Sequence, residues 1–202
     1  MRSSGATFLI YARLRLATTL AEIAKDKILL NTNLSIDYMI DSSILIEKFL
    51  QNYRFMMVKP YLMGDVMDFG GNEGELKKLV KGKYLIVNYD HSVMENNNFD
   101  TIVSLAVIEH IEFDEVFNIF HKFKKILNKG GRIFLTTPIK MSKPVLETLA
   151  FLSIVDKKNI AEHKHYWSKK EIYQLAHKTG FVVKKFKRFQ LGFNQLAVLE
   201  HK

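Results

Sequence analysis

The sequence predicts an α/β protein: a mostly parallel sheet with an antiparallel C-terminal strand, preceded by two helices. Three observations predict it. Short apolar runs alternate with helical stretches between Asp65 and Thr137. The first run ends in a glycine-rich turn, Gly70-Gly71-Asn72-Glu73-Gly74. The chain then closes with two strand-like runs, Phe181–Arg188 and Asn194–Glu200, joined by a short connection. Strands that alternate with helices imply βαβ units, and such units pair in parallel.

Taken in order, Phe8, Leu9, Tyr11, Ala12, Leu16, Leu20 and Ile23 recur at helical spacing and predict a first helix. Arg2, Arg13 and Arg15 precede the first acid, Glu22, which is also the composition of a mitochondrial transit peptide. Continuation of the helix past Glu22 into Ile28 and Leu29 favours an ordinary amphipathic helix. Asn31–Asn33 is a break, and a second helix runs from Ile36 to about Phe55, leading to Pro60. The strand runs are Asp65–Phe69, Tyr84–Tyr89, Thr101–Ala106 and Arg132–Thr137, the last stopped by Pro138. Between them lie helical stretches at Glu75–Val80 and Glu115–Leu127. Gly130-Gly131 is read as the glycine C-cap of the second. Ser168 and Glu171 form a capping box for a helix over Lys169–Lys178, which Gly180 ends. The expected organisation is one domain over 1–202, with residues 1–60 as a helical cap and 64–202 as a cofactor-binding core.

Composition narrows the functional classes. Of 202 residues, 48% are hydrophobic and 12% aromatic, which excludes intrinsic disorder. No run approaches the ~18 apolar residues that span a bilayer, so no transmembrane segment is expected. The absence of cysteine removes disulfides, Cys-ligated zinc, iron–sulfur clusters and thiol nucleophiles, and it fits a cytoplasmic location. The formal charge is +9, and ten Lys/Arg between Lys157 and Arg188 face only Glu162 and Glu171. Interleaved with Tyr166, Trp167, Tyr173, Phe181, Phe186 and Phe189, that surplus offers an RNA-stacking surface. Helical and alternating spacing of the lysines favours a solvated helix and strand edge instead, with the aromatics in the core. An anionic small substrate lies between the two readings.

The glycine turn carries the most information. Gly70 lets the chain turn sharply off its strand and lets a ligand approach the backbone. Asp90 follows 20 residues later, at the end of the next strand, where an acid can bind a ribose diol. A dinucleotide prefers a third glycine where Asn72 stands, and Glu73 puts a carboxylate beside the anion site. The turn, Asp68 and Asp90 together therefore point to a nucleoside-containing cofactor with an amino-acid tail and no phosphate.

At these residues the sequence resembles the class I S-adenosylmethionine-dependent methyltransferases. The resemblance rests on Val66-Met67-Asp68-Phe69-Gly70-Gly71-Asn72-Glu73-Gly74, on Asp90, and on Asn98-Phe99-Asp100-Thr101-Ile102-Val103-Ser104. Val107-Ile108-Glu109-His110-Ile111, Leu127-Asn128-Lys129-Gly130-Gly131-Arg132 and Thr136-Thr137-Pro138 follow in family order. It implies S-adenosyl-L-methionine as cofactor, bound by Asp68, Phe69, Gly70, Gly71, Asn72, Gly74 and Asp90, with Ser104, Leu105 and Ala106 beside its methionine moiety. It also implies a Rossmann-like sheet and a small-molecule or sugar acceptor methylated on oxygen or nitrogen. One departure stands out: only His91–Asn98 separate Asp90 from Phe99, so the family's third strand is expected to be missing. His91, Ser92 and Met94 would then cover the adenine. Asp90 is either the ribose acid or the family's second acid, and its place directly after the glycine-turn helix favours the ribose.

For chemistry, His110, with Glu109, is expected at the mouth of the site, and His165 in the substrate pocket. Glu162-His163-Lys164-His165 invites a metal reading. It lacks the HExxH pattern, and His110 is its only obvious distant partner, so no metal is expected. Two other classes remain: an RNA or protein methyltransferase using the basic C-terminal surface, and a non-catalytic subunit of the same fold.

Overall fold

The computed structural model describes residues 48–88, 90–94, 97–143 and 162–202, with the side chains of His91 and Val93 not described. The first predicted helix, most of the second, and the segment 144–161 lie outside the described residues. Of the second helix, here α1, residues 48–58 are described, three residues beyond the predicted end at Phe55.

Six strands form one sheet: β1 (Val66–Phe69), β2 (Tyr84–Val87), β3 (Phe99–Leu105), β4 (Leu127–Pro138), β5 (Phe181–Phe189) and β6 (Asn194–His201). Their order is β2-β1-β3-β4-β6-β5. The first four pair in parallel, and β6 runs antiparallel to both of its neighbours. Among the described residues β2 is an edge strand, as the shortened His91–Asn98 segment predicts. Strand order reverses between β1 and β3, so the carboxyl ends of those strands open the crevice where ligands bind in open α/β sheets.

Both sheet faces are covered, and the side-chain period of two assigns residues to each. Met67 and Phe69, Ile102, Ile133 and Leu135, and Ala197 and Leu199 point to the face packed by α2 (Phe113–Ile126) and α3 (Lys169–Lys178). Val66, Val103, Phe134, Leu196 and Val198 point to the opposite face, against Phe55 and Val58 of α1 and against Leu76. Tyr53 of α1 stacks on Phe189, ring centroids 5.8 Å apart. The buried stripe of α2 is Val116, Ile119, Phe120, Phe123 and Ile126, a helical recurrence that turns one face to the sheet.

Two local predictions need correction. The stretch Glu75–Val80 is not an α-helix but a 3-10 segment, Glu75–Leu79. Gly130-Gly131 does not cap α2: the helix ends at Ile126, and Leu127 is already extended and paired with Phe99. The next pairing is Thr101 with Arg132, so residues 128–131 form a bulge in β4. Asn128 Nδ2 donates to Asp100 Oδ1 across it (2.8 Å), and a Cβ on Gly131 would stand 2.9 Å from the Asp100 carbonyl. Gly131 serves a close strand approach and Gly130 a left-handed φ of +80°, needs the helix-end pattern conceals. The capping box is present as predicted, Ser168 and Glu171 each bonding the other's backbone N–H.

Lys184, Lys185, Lys187 and Arg188 lie on the outer strand β5, where charge blunts a sheet edge. Trp167, Phe181 and Phe189 are buried, so these three aromatics of the basic stretch belong to the core and offer no stacking platform.

Candidate functional site

The site is built where β1, β2, β3 and β4 end. Gly70 turns the chain off β1 with φ +77°, its N–H donating to the Val87 carbonyl (2.8 Å). A Cβ here would stand 2.5 Å from Val107 Cγ2, so only glycine leaves the gap between this turn and the end of β3 open. Gly71 lies directly over the Asp68 carboxylate, and Gly74, φ +77°, passes close to Ile86 of β2. Asn72 takes a left-handed φ of +48° and exchanges two hydrogen bonds of 3.1 Å with the Asn88 amide. The turn is thereby latched to the end of β2.

Asp68 is buried, and burial pushes its carboxyl up to about 6 despite the 2.5 Å hydrogen bond donated by the Tyr84 hydroxyl. Burial and the same bond push the Tyr84 phenol far upward, so Tyr84 remains a donor. Asp68 thus supports the turn from beneath. Asp90 is exposed, and its Oδ1 accepts from Ser92 N (2.9 Å) and Ser92 Oγ (2.6 Å). His91 begins the 3-10 turn His91–Met94, but its side chain lies outside the described residues. Met94 is buried in the main core, which removes it from the expected adenine cover.

On the other side of the crevice β3 ends at Leu105, with Ser104 buried beneath. Ala106 then takes φ +59°, a conformation that disfavours a side chain, held by bonds from its N–H to Thr136 O (2.9 Å) and Oγ1 (3.1 Å). This bend aims the next turn, Ile108–His110, back over the strand ends. Glu109 is fully buried, its carboxyl pushed up to about 7 by desolvation, with Thr137 and Arg54 opposing weakly. Its Oε2 has no hydrogen-bond partner among the described residues.

The segment Glu162–Trp167 lies across this turn. Lys164 N and His165 N donate to the Glu109 carbonyl (2.8 and 3.2 Å), and Trp167 Nε1 donates to the Ile108 carbonyl (3.3 Å). His110 and His163 meet edge to face with centroids 4.6 Å apart. Burial lowers both imidazoles below their usual value, His163 to about 4 with His110 adding to the shift. One ligand atom each from Glu109, His110 and His163 falls within 4.8 Å of the others. His165, the histidine singled out from the sequence, turns away: its Nε2 lies 3.1 Å from Glu171 Oε1, and its ring packs on Phe113 and Trp167. His163 therefore takes the place expected of His165. Spacing alone could not choose between them, because the segment is irregular and its direction is set by contacts to residues 108 and 109. Tyr84, Asn88 and Arg54 carried no motif and were not anticipated.

A family model described as a methyltransferase domain matches residues 16–185. Among curated proteins, no sequence matches. Solved structures with a similar fold include the mitomycin 7-O-methyltransferase MmcR, at 14% identity over 76% of this chain, TM-score 0.58. The pyocyanin biosynthetic protein PhzM is 15% identical over 75% of the chain, TM-score 0.57. The cyclopropane synthase MmaA2 from Mycobacterium tuberculosis is 12% identical over 74% of the chain, with 83% of its own length covered and a TM-score of 0.54. The chain spans about half the length of the first two, 54% and 55%. At these identities the likeness is one of fold.

Proposed function

The chain belongs to the methyltransferase-domain family, of the class I S-adenosylmethionine-dependent kind, and from that premise we propose that it methylates a small-molecule or sugar acceptor. The observation that carries the reading is the facing of two groups across one crevice. The glycine turn and Asp90 stand at the ends of β1 and β2, and Glu109, His110 and His163 stand beyond the end of β3. When bound, the cofactor supplies an electrophilic methyl on a sulfonium. The residues present suit it: a turn that only glycine leaves open, with carboxylates at Asp68 and Glu73 that would repel a pyrophosphate and tolerate a cationic amino-acid tail.

In this reading Phe69, Gly70, Gly71, Asn72 and Gly74 shape the backbone wall for the cofactor, with Asp68 bracing it through Tyr84. Asp90 binds the ribose diol after exchanging its bond to Ser92. Ser104, Leu105 and Ala106 face the methionine moiety. His91 and Ser92 are left to flank the adenine beside the open edge of β2. The cofactor would supply a methyl group open to in-line displacement by an acceptor oxygen or nitrogen, and the His110–Glu109 group would take the acceptor's proton. His165, bound to Glu171, acts as a positioning residue that holds the segment carrying His163. Of the expected cap, the described part of α1 reaches the core: Leu50 O accepts from Gln190 Nε2 (2.9 Å), Gln51 bonds Glu75, and Arg54 acts on Glu109.

The burial of Glu109, with His163 half-buried beside it, favours a small acceptor over a polymer, and burial of three basic-stretch aromatics weakens the RNA alternative. Lys164, whose backbone N–H bonds the Glu109 carbonyl, is the cation of the basic stretch placed to favour an anionic acceptor. No described helix is long and apolar enough to cross a membrane, and a cysteine-free chain suits a cytoplasmic setting. Calorimetry with S-adenosylmethionine and its homocysteine product tests the cofactor, and labelled-methyl transfer to panels of hydroxy and amino compounds tests the acceptor. Absence of heat and of any thermal shift at millimolar cofactor refutes the enzyme reading and leaves the non-catalytic one.

A further inference from the structure

We infer that Glu109, His110 and His163 hold a divalent transition-metal ion at the acceptor side of the crevice. The first support is donor type: two imidazoles and one carboxylate, with ligand atoms within 4.8 Å of one another. That set suits first-row divalent ions such as zinc, manganese or cobalt, and it leaves coordination positions open.

The second support is how the rings are held. A ligating histidine ordinarily commits its other ring nitrogen to a fixed partner, which sets its orientation and basicity. His163 Nδ1 lies 3.0 Å from the Tyr166 hydroxyl, and His110 is hydrogen-bonded to the Glu162 backbone. Each ring so held has one nitrogen left over, and the two rings meet edge to face.

The third support is an unmet electrostatic need. Glu109 is buried, and its Oε2 has no hydrogen-bond partner among the described residues. A carboxylate in that state is costly unless a cation or donor compensates it. Arg54 acts electrostatically on this carboxyl, and Oε2 still has no hydrogen-bond donor among the described residues. A divalent ion between the carboxylate and two imidazoles meets the need directly.

Binding of the ion does not depend on the methyl-transfer reading. Its role does: in that reading an open position takes an acceptor oxygen, holds it toward the methyl carbon and eases loss of its proton to water, so that with the ion bound Glu109 and His110 act as ligands in place of their role as base. The test uses the full chain, stripped with a chelator and titrated with Co²⁺ and Zn²⁺ in equilibrium dialysis without cofactor. One Co²⁺ per chain is expected, with visible absorption bands that Zn²⁺ displaces. His163→Ala and Glu109→Gln should each abolish stoichiometric binding, whereas His121→Ala, at an exposed histidine of α2, should retain it. Tyr166→Phe should weaken binding roughly tenfold or more through the His163 ring, which keeps the test informative where the first variants fail to fold. No stoichiometric metal on the wild-type chain overturns the proposal, as does equal loss in His121→Ala. S-adenosylmethionine titration of the same preparations, with and without metal, reports separately on the cofactor reading.

Discussion

The two walls of the crevice are made differently. On the β1–β2 side the geometry is local: Gly70, Asn72 and Gly74 adopt left-handed backbone within five residues, and the latch to Asn88 spans only sixteen. On the β3–β4 side it is assembled from afar. Glu109 and His110 meet His163 only because Lys164, His165 and Trp167 bond to backbone more than fifty residues earlier in the chain. The near wall is half open, bounded by an edge strand. The far wall is buried, and its titrating groups are displaced by desolvation. A wall of backbone turns binds by shape, whereas a wall of buried side chains sets proton and charge chemistry.

Substitutions at four positions test this contrast. Gly70→Val should have the largest effect, because the new side chain meets both a φ of +77° and the Val107 methyls. A loss of about 3 kcal/mol of stability together with cofactor binding is expected in denaturant melts and calorimetry. A stable variant that binds normally would show that the near wall does not depend on this turn. The position therefore faces the end of β3 as well as the space left for a ligand.

Asp68→Asn comes next and is read through pH. Asp68 ionises near 3.8 when unfolded but near 6 when folded, so the native state holds an extra proton between those values. Its stabilising effect is fully present below about pH 4 and is lost as pH rises to 6, by about 3 kcal/mol. The wild-type stability curve should therefore fall over that window more steeply than the Asn variant's. Glu109 contributes a similar fall that reaches to about pH 7, and it should persist in both proteins. Parallel curves for the two would remove Asp68 as a buried, protonated brace.

Asp90→Ala should weaken cofactor binding roughly ten- to hundredfold while leaving the fold intact, and Asp90→Asn should lose less. Wild-type affinity in Asp90→Ala would refute the ribose assignment. Ser168→Ala should be mildest, removing about 1 kcal/mol by breaking the capping box that anchors the segment ahead of α3. It should disturb the acceptor side without changing cofactor affinity. Equal damage to both would mean that the walls are not separable.

Much of the fold was legible because it rests on periodicity. Alternation along β3, β4 and β6 sorted residues onto two faces, the helical stripe of α2 faced the sheet, and a missing third strand followed from the length of His91–Asn98. The errors lay where one residue type serves two geometries. Gly130-Gly131 suits a helix end and a bulge equally, and Glu75–Val80 suits α and 3-10 turns alike. Within the site, the glycine turn could be read directly, whereas Met94 was misassigned because burial is not a property of its immediate neighbours.

By itself the sequence determined the order of strands and helices, the glycine-shaped turn and the family, since these depend on dihedral freedom and on patterns within a few residues. Tertiary structure alone decided that His163 rather than His165 joins His110, that Glu109 is enclosed with its Oε2 unbonded among the described residues, and that Tyr84 braces Asp68. Those outcomes depend on which distant backbone groups become neighbours and on how much water the packing removes. Desolvation belongs to the assembled fold, and with it the chemistry of the far wall.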